Sequence, residues 1–251
     1  MTLLDLFSGI GGFSLAARWA GIETVQFVEI DPFCQKVLAK NFPGVPIHDD
    51  IKTFRAAPGS ADIISGGFPC QDLSSCGKGA GIDAERSGLW KELHKQICMV
   101  RPRYAVIENV TDLLSGDNGR WFQRVLTDLA EGGFNAEWEC IPASSLGAPH
   151  QRDRVFIVAY PREIGWLRVF TKTNLKVRRN LGNNKRADWF GSGEGAWADW
   201  QTKTRKEILH KPIISREDDG FSGWLDRLSS LGNAIVPQIA HEIFEAIKEV
   251  E

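Results

Sequence analysis

The sequence lacks paired cysteine motifs, long apolar runs and a signal-like N-terminus, and each absence excludes a class of protein. Its five cysteines include no CxxC pair, which argues against a disulfide framework and against a zinc site. No apolar run approaches the roughly 20 residues that a membrane-spanning helix needs. The first residues have neither a basic flank nor a cleavage site, so we expect no signal peptide. These absences predict a protein of the reducing cytoplasm that uses no metal and no membrane.

The net charge of −2 hides an uneven distribution. Residues 162–216 carry 13 Lys and Arg against 5 Asp and Glu, so the rest of the chain is acidic. Five of the nine tryptophans lie in or just after this stretch, namely Trp166, Trp189, Trp197, Trp200 and Trp224. A charge run is usually a solvated surface, although Lys and Arg also neutralise the phosphates of a polyanion. Both interpretations stay open at this point.

Short apolar runs alternate with helical patterns over the first 160 residues, which predicts the α/β class. We predict buried strands at Thr2–Phe7, Thr24–Ile30, Ala61–Phe68, Tyr104–Val110 and Arg154–Tyr160. We predict helices at Phe13–Ala20, Pro32–Asn41, Ser87–Val100 and Arg120–Glu131. This alternation implies a Rossmann-like, mostly parallel sheet with helices on both faces. Such sheets bind ligands at the carboxyl ends of their strands.

The pattern dissolves after residue 160 and returns near the C-terminus. Residues 161–225 show weak periodicity and glycine-rich pieces, so we expect a separate small domain or a long insertion there. From Pro237 an apolar helix face reappears, formed by Ile239, Ala240, Ile243, Phe244 and Ile247. We therefore predict three parts, 1–160, 161–225 and 226–251, with the last one packing back on the first.

The first two predicted strands end in residues suited to a nucleoside. A glycine-rich turn, Gly9-Ile10-Gly11-Gly12, follows the first strand and would let a ligand approach the backbone closely. Its spacing is not that of the dinucleotide fingerprint. Glu29 ends the second strand, where an acid can accept both hydroxyls of a ribose. A nucleoside-containing cofactor is one interpretation, and an ordinary turn beside a surface acid is the other.

The remaining strand ends carry groups suited to covalent and acid–base chemistry. Cys70 follows the third strand, and a thiolate is a strong nucleophile, although a lone cysteine is more often buried and inert. Its Pro-Cys corner and the polar run behind it favour an exposed loop. Glu108 ends the fourth strand and could hold a proton for a substrate nitrogen, or serve only as a helix cap or an ion-pair partner. Arg152 and Arg154 open the fifth strand, and we expect one of them to face the site and the other to face a neighbouring acid.

Taken in order, these segments resemble the cytosine-C5 DNA methyltransferase family, in its short bacterial or phage-type form. The resemblance covers residues 1–160 and about 228–250 with the family's order and approximate spacing. The matching motifs are Asp5-Leu6-Phe7-Ser8-Gly9-Ile10-Gly11-Gly12, Glu29, Asp50-Ile51, Gly67-Phe68-Pro69-Cys70-Gln71, Glu108-Asn109-Val110, Arg152-Asp153-Arg154 and Leu231-Gly232-Asn233-Ala234-Ile235-Val236-Pro237. The Pro-Cys-Gln and Glu-Asn-Val pair in that order is the most specific part.

The resemblance implies a reaction and gives four residues roles in it. Cys70 would add to C6 of a cytosine flipped out of duplex DNA, and Glu108 would hold its N3 and amino group. Arg154 would contact O2, and Arg152 would lie near the nucleophile. The addition makes C5 nucleophilic, so that it takes the methyl group of S-adenosylmethionine. Loss of the C5 proton and of the thiol then releases 5-methylcytosine.

The resemblance also implies binding residues and partners. The cofactor, S-adenosylmethionine, and its product S-adenosylhomocysteine would be held by Phe7, Gly9, Ile10, Gly11, Gly12, Glu29, Ile30, Asp50, Ile51, Gly67, Pro69, Leu89, Asn233, Ala234 and Ile235. Double-stranded DNA would contact Gln71, Ser74, Lys78 and Arg86 in a lid loop, and Arg178, Arg179, Lys185 and Arg186 further on. Residues 161–225 fall where the family keeps its target-recognition domain. We expect a bacterial or phage-encoded monomer, with any cognate restriction endonuclease acting separately.

Two departures from the family pattern and three alternatives accompany this interpretation. The recognition segment is short, and the family's Arg-Leu-Gln-Gly-Phe-Pro stretch is replaced by residues 216–228, as in phage-type members. The first alternative is the tRNA-modifying branch, which shares the Pro-Cys and Glu-Asn-Val motifs. The second is a catalytically silent DNA-binding relative, although intact Cys70 and Glu108 argue against it. The third, a nicotinamide-dependent oxidoreductase, lacks its glycine spacing.

Overall fold

The computed structural model of the chain describes residues 1–68, 88–146, 152–173 and 234–251. Within these ranges the strands are β1 (Thr2–Leu6), β2 (Glu23–Val28), β3 (Ile47–His48), β4 (Ile63–Gly66), β5 (Tyr104–Val110), β6 (Phe134–Pro142) and β7 (Asp153–Pro161). The α-helices are α1 (Gly12–Trp19), α2 (Pro32–Asn41), α3 (Leu89–Val100), α4 (Asp112–Ser115), α5 (Arg120–Glu131), α6 (Val169–Lys172) and α7 (Pro237–Val250). Short 3-10 segments lie at Gly116–Gly119, Ala143–Leu146 and Arg162–Ile164.

The strands form a seven-stranded sheet in the order β3-β2-β1-β4-β5-β7-β6. The first five strands in this order run parallel, whereas β7 is antiparallel to both β5 and β6. The predicted mostly parallel sheet is therefore confirmed. The strand order reverses between β1 and β4, and α/β sheets bind their ligands at the carboxyl ends of the strands beside such a reversal. We call this side of the sheet, where β1, β2, β4 and β5 end, the C-terminal edge.

Helices cover both faces of the sheet, because successive strand residues point to opposite sides. On one face Leu3, Ile63 and Val106 pack against α1 and α7. On the other face the alternate residues Leu4 and Ile64 pack against α3 and α5. Each face buries a continuous apolar cluster, as the α/β class requires. The sheet is thereby fixed on both sides, which holds the C-terminal edge in place.

The predicted helices and strands largely coincide with those observed. Helix α2 has the predicted bounds, because Asp31 accepts hydrogen bonds from the backbone N–H groups of Phe33 and Cys34 and proline occupies the first turn. The pattern did not predict β3, which has only two residues, or the edge strand β6. The burial of β6 does not alternate, since Trp138 and Glu139 are both exposed. Its sequence therefore lacks the period of two that identifies a half-buried strand.

The sheet domain extends beyond the expected boundary at residue 160. Strand β7 runs through Pro161, and the fully buried Val169 of α6 joins the apolar cluster that contains α7. Helix α7 packs against α1, as the apolar pattern from Pro237 predicts. In the part of the chain that the structure describes, no helix is long and apolar enough to cross a membrane.

Candidate active site

The chemistry-bearing residues converge on the C-terminal edge because of strand direction. Glu29 follows β2, Gly67 follows β4, and Glu108 lies near the end of β5. Strand β7 runs the opposite way, so its beginning reaches this same edge and carries Arg152 and Arg154 there. The chain that leaves β4 leads on to Cys70. The edge thus collects the expected catalytic and cofactor residues that the structure describes.

The turn after β1 has the backbone that a close ligand contact requires. Phe7, Gly9 and Gly11 all have positive φ, at 52°, 54° and 87°, a region that favours glycine. A Cβ on Gly9 would meet no atom within 4 Å, so this glycine borders open space. A Cβ on Gly12 would lie 2.7 Å from Cγ1 of Ile235. The turn is therefore packed against the segment before α7 and open at Gly9.

The Glu29 carboxylate is held by backbone N–H groups at the mouth of this turn. Its Oε2 accepts a hydrogen bond from Gly9 N at 2.7 Å, and its Oε1 accepts one from Asp31 N at 2.9 Å. Burial raises the pKa of Glu29, and these two N–H donors partly offset that rise. Each carboxylate oxygen keeps a second lone pair that can accept a hydroxyl. Ile30 beside it is 70% exposed and offers an apolar surface.

A buried carboxyl lies beneath the turn, and its hydrogen-bond partners were not predicted from the sequence. Asp5 is fully buried and accepts hydrogen bonds from Ser14 Oγ at 2.6 Å and Ser65 Oγ at 2.8 Å. Burial raises the pKa of Asp5 to about 7, although the two serines oppose that shift and Glu29 adds to it. The cluster joins β1, α1 and β4. An acid inside a buried strand predicts nearby donors, and that is the signal that could have found them.

The other cofactor-binding candidates that the structure describes differ in which of their atoms are accessible. Oδ1 of Asp50 accepts a hydrogen bond from Lys52 N at 2.8 Å, which fixes the turn after β3. Ile51 is buried in the core, so its backbone rather than its side chain remains for a cofactor contact. Leu89 is half-buried at the start of α3, and Ile10 is half-buried in the glycine turn.

Glu108 and Arg154 form an ion pair at the C-terminal edge, with Oε1 and Nε 2.9 Å apart. Burial raises the pKa of Glu108, and the positive charges of Arg154 and Arg152 partly offset the rise. A Cβ on Gly67 would lie 3.0 Å from Oε2 of Glu108. Glycine at position 67 therefore lets this carboxyl lie against the chain that leads to Cys70.

Arg152 links this ion pair to the segment before α7. Its Nη2 donates a hydrogen bond to the carbonyl oxygen of Ala234 at 2.6 Å. The next residue, Ile235, contacts Gly12 in the glycine turn. Residues 234–235 therefore connect the glycine turn to Arg152. The prediction that one arginine faces an acid is met by Arg154, whereas Arg152 binds a carbonyl.

Several predicted site residues lie outside the described part of the chain. They are Pro69, Cys70, Gln71, Ser74, Lys78, Arg86, Arg178, Arg179, Lys185, Arg186 and Asn233. Their roles remain predictions from the sequence. Among the described residues, no group of three or more His, Cys, Asp or Glu side chains could hold a metal ion.

Comparison with known proteins matches the chain to one family, to curated relatives and to a solved structure. Residues 1–208 match the model of the family described as C-5 cytosine-specific DNA methylase. The chain is 42% identical over 163 residues to the type II methyltransferase M2.BsuMI of Bacillus subtilis (strain 168), covering 63% of this chain and 42% of that protein. It is 35% identical over 162 residues to the type II methyltransferase M1.ScrFI of Lactococcus lactis subsp. cremoris, covering 64% of this chain and 42% of that protein. The chain thus spans less than half the length of these curated relatives.

A solved structure extends the likeness over the whole chain. The Dnmt2 methyltransferase of S. pombe superposes with a TM-score of 0.63, covering 100% of this chain and 99% of that one. At 16% sequence identity, this likeness concerns the fold alone. The sheet is that of the S-adenosylmethionine-dependent methyltransferase fold.

Proposed function

Because the chain belongs to the C-5 cytosine-specific DNA methylase family, we propose that it methylates C5 of cytosine in double-stranded DNA. The methyl donor is S-adenosylmethionine and the by-product is S-adenosylhomocysteine. The observation that carries the proposal is the buried Glu108–Arg154 ion pair beside Gly67, on the chain that leads to Cys70. A carboxyl and a guanidinium side by side match the ring nitrogen and the carbonyl oxygen on one side of a cytosine.

The described residues fit this cofactor at the glycine turn. The open space at Gly9 admits a ligand against the backbone. Glu29 would hold the ribose hydroxyls with its remaining lone pairs, and the exposed Ile30 would cover the adenine. Asp50, Ile51 and Leu89 would complete the adenine side, and Phe7, Gly67 and residues 233–235 the methionine side. When bound, the cofactor supplies an electrophilic methyl group on a sulfonium.

Glu108 would provide a proton at N3 of the cytosine. Because burial raises its pKa, its protonated form is more accessible near neutral pH than that of an exposed glutamate. Donation to N3 withdraws electrons from the ring and makes C6 electrophilic. Arg154 would keep its contact with Glu108 while it donates to O2 of the same ring. The 2.9 Å ion pair therefore supports a single site for one face of the base.

Cys70 would supply the nucleophilic thiolate, which is regenerated when the product is released. Its thiolate forms a bond to C6, and the electron pair of the C5–C6 double bond becomes available at C5 for the methyl group. Transfer of the C5 proton to solvent then leaves an electron pair that reforms the C5–C6 double bond and expels the thiolate. The thiolate must reach C6 from above the ring, so the base must leave the stack. Gln71, Ser74, Lys78 and Arg86 would contact the DNA as the loop closes.

The basic segment would read the DNA. We place the recognition domain within residues 161–225, supported by its excess of 13 Lys and Arg over 5 Asp and Glu in 162–216. Phosphate contacts give affinity and base-edge contacts give sequence selectivity. Arg178, Arg179, Lys185 and Arg186 are the proposed contacts. The names of the type II relatives support a restriction–modification setting. The enzyme would act as a monomer, and any endonuclease would act separately.

The test compares the wild type with Cys70→Ser, using tritiated S-adenosylmethionine and a mixed-sequence DNA duplex. We expect label in 5-methylcytosine from the wild type and none from Cys70→Ser, with cofactor binding retained in both. Label in a tRNA substrate but not in DNA would move the enzyme to the RNA-modifying branch. Label in neither would leave a silent binding protein, and label transferred by Cys70→Ser would contradict the nucleophile.

A further inference from the structure

Asn109 is a buried polar residue at the C-terminal edge that the proposed reaction does not use. It is 2% exposed and directly follows Glu108 in β5. Its Nδ2 donates a hydrogen bond to the carbonyl oxygen of Phe68 at 3.1 Å. Its Oδ1 accepts one from Val110 N at 2.9 Å. Because both ends of the amide are engaged, the orientation of the side chain is fixed.

This side chain extends the connection between two strands beyond their backbone pairing. The β4–β5 ladder ends at the pair Gly66 and Ile107. Beyond that pair the chain leaving β4 continues through Gly67, a residue with a permissive backbone. The Asn109 amide reaches across to this chain one residue later, at Phe68. A side chain thus holds the segment where the regular ladder has stopped.

Because of the covalent geometry of Pro69, the restraint on the Phe68 carbonyl also limits the position of Cys70. The Phe68 carbonyl belongs to the peptide group that includes the nitrogen of Pro69, and peptide groups are planar. The proline ring fixes φ of Pro69 near −65°. This leaves ψ of Pro69 as the soft backbone torsion between the Phe68 carbonyl and the Cα of Cys70. Fixing the carbonyl therefore restricts where the Cα that carries the thiol can lie.

We propose that Asn109 is a positioning residue that holds the Phe68 carbonyl so that the Cys70 thiol and the Glu108 carboxyl address the same cytosine ring. Glu108 already lies against Gly67, one residue before the restrained carbonyl. The positions of both reacting groups, the Glu108 carboxyl and the Cys70 thiol, thus depend on the adjacent residues Gly67 and Phe68. This inference rests on the proposed function, because it concerns the rate at which Cys70 adds to C6.

The test measures formation of the covalent adduct at saturating DNA. The probe is a mixed-sequence duplex in which 5-fluorocytosine replaces cytosine, with S-adenosylmethionine present. The fluorine replaces the C5 proton whose loss would release the thiol, so the adduct persists and is counted on a denaturing gel. Asn109→Asp keeps the size of the side chain but replaces the donor by acceptors. We expect a rate about 100-fold lower, since small misplacements of reacting groups can cost that much.

Asn135→Asp is the matched control. Asn135 Nδ2 also donates to a backbone carbonyl at 3.1 Å, that of Gly165, but on β6 and away from the C-terminal edge. We expect its adduct rate to stay within about twofold of the wild type, although it too loses a hydrogen bond to a backbone carbonyl and its thermal stability falls. Binding of S-adenosylhomocysteine, measured by calorimetry, should be unchanged in both variants. Asn109→Ala repeats the test without adding a charge.

The outcomes separate this inference from the proposed function. A wild type that forms no adduct with the fluorinated duplex contradicts the proposed function and the inference with it. A wild type that forms adduct, with an Asn109 variant that binds S-adenosylhomocysteine and reacts at an unchanged rate, overturns the positioning role alone. Equal slowing of Asn109→Asp and Asn135→Asp also overturns it, because a general loss of stability would then explain both.

Discussion

Glu29 and Glu108 occupy equivalent places in the fold and are held by opposite kinds of partner. Each is a glutamate near the end of a parallel strand, at the C-terminal edge, with a pKa raised by burial. Glu29 is bound by two backbone N–H groups, whereas Glu108 faces the guanidinium of Arg154. The first arrangement suits an acceptor that holds hydroxyl groups. The second suits a group that exchanges a proton beside a fixed positive charge.

Strand direction explains the difference. At β2 the neighbouring strands end at the same edge, so the groups near Glu29 are the N–H groups of turns that begin there. At β5 the neighbour β7 is antiparallel, so its first residues reach the edge as side chains on a regular strand. The pairing of Val110 with Arg154 brings that arginine diagonally opposite Glu108. A single reversed strand thus gives one acid of the edge a cationic side chain as its partner in place of backbone N–H groups.

The strongest test of this comparison is Glu108→Gln. Glutamine keeps the shape but cannot give a proton, and a general acid typically contributes about 10²- to 10⁴-fold in rate. We expect turnover to fall by that amount with no more than a twofold change in cofactor affinity, measured by methyl transfer and by calorimetry. The exposed Glu139→Gln serves as a control that should change neither. An unchanged turnover for Glu108→Gln would contradict its assignment as the proton carrier.

A third acid, Asp5, sharpens the comparison because its hydrogen-bond donors are neutral serines. Its pKa rises from 3.8 to about 7 in the folded chain, so folding favours its protonated form. Its contribution to stability is complete below pH 4 and is lost as the pH rises from about 4 to about 7. Asp5→Asn does not titrate and should gain on the wild type across that window. The difference is at most on the order of 4 kcal/mol, and denaturant unfolding at pH 4.5 and 8 measures it.

The deciding observation is whether Asp5→Asn gains or loses stability relative to the wild type as the pH rises from 4.5 to 8. If the wild type instead gained stability relative to Asp5→Asn between pH 4.5 and 8, the carboxyl would be stabilised as an anion. Ser14 and Ser65 would then stabilise the Asp5 carboxylate as Arg154 stabilises that of Glu108. The three acids would no longer differ in the kind of partner that holds them. Ser14→Ala removes a 2.6 Å hydrogen bond that lowers the pKa of Asp5, so it should enlarge the loss of stability between pH 4.5 and 8.

Glu29→Gln tests the other side of the comparison. The variant loses the charge that accepts hydrogen bonds from Gly9 and Asp31 and, as proposed, from the ribose. Hydrogen bonds to charged groups are worth about 1.5–3 kcal/mol, so we expect cofactor affinity to fall about 10- to 100-fold. Turnover at saturating cofactor should change little. A loss of turnover with normal affinity would mean that both acids take part in the chemical step.

The smallest expected effect concerns the contact that joins the two sites. Gly12→Ala would place a Cβ 2.7 Å from Cγ1 of Ile235, and overpacking of this kind costs about 1–2 kcal/mol. The cost should largely disappear in an Ile235→Ala background, which a double-mutant cycle in denaturant unfolding would show. Additive losses would mean that Gly12 and Ile235 are not in direct contact.

The sequence predicted those features that depend on local pattern. Five buried strands and the bounds of α2 and α5 follow from apolar runs and from cap and proline positions. The convergence of Glu29, Glu108 and Arg154 on one edge follows from strand alternation together with the family motifs. The antiparallel direction of β7 was not predicted, because periodicity carries no information about direction.

Features that depend on contacts between distant residues could not be predicted. The partners of Asp5 lie 9 and 60 residues away, and the carbonyl held by Asn109 lies 41 residues away. Such pairs depend on strand order, which the pattern of apolar residues leaves open. The packing of Val169 against α7 likewise lies beyond a local pattern, which is why the structured domain extends past the expected boundary.

The packing of α7 against α1 has a consequence for the order in which the protein can be completed during synthesis. The cluster on that face needs Phe13 and Ala17 from α1 together with Phe244 and Ile247 from α7. These contacts join residues separated by more than two hundred positions, and non-local contacts of this kind form late in folding. While the ribosome still holds α7, the face of the sheet that α1 and α7 share is only partly covered. The apolar side chains of α1 that pack against α7 therefore stay exposed to solvent until α7 has been synthesised, although all seven strands of the sheet precede it in the chain.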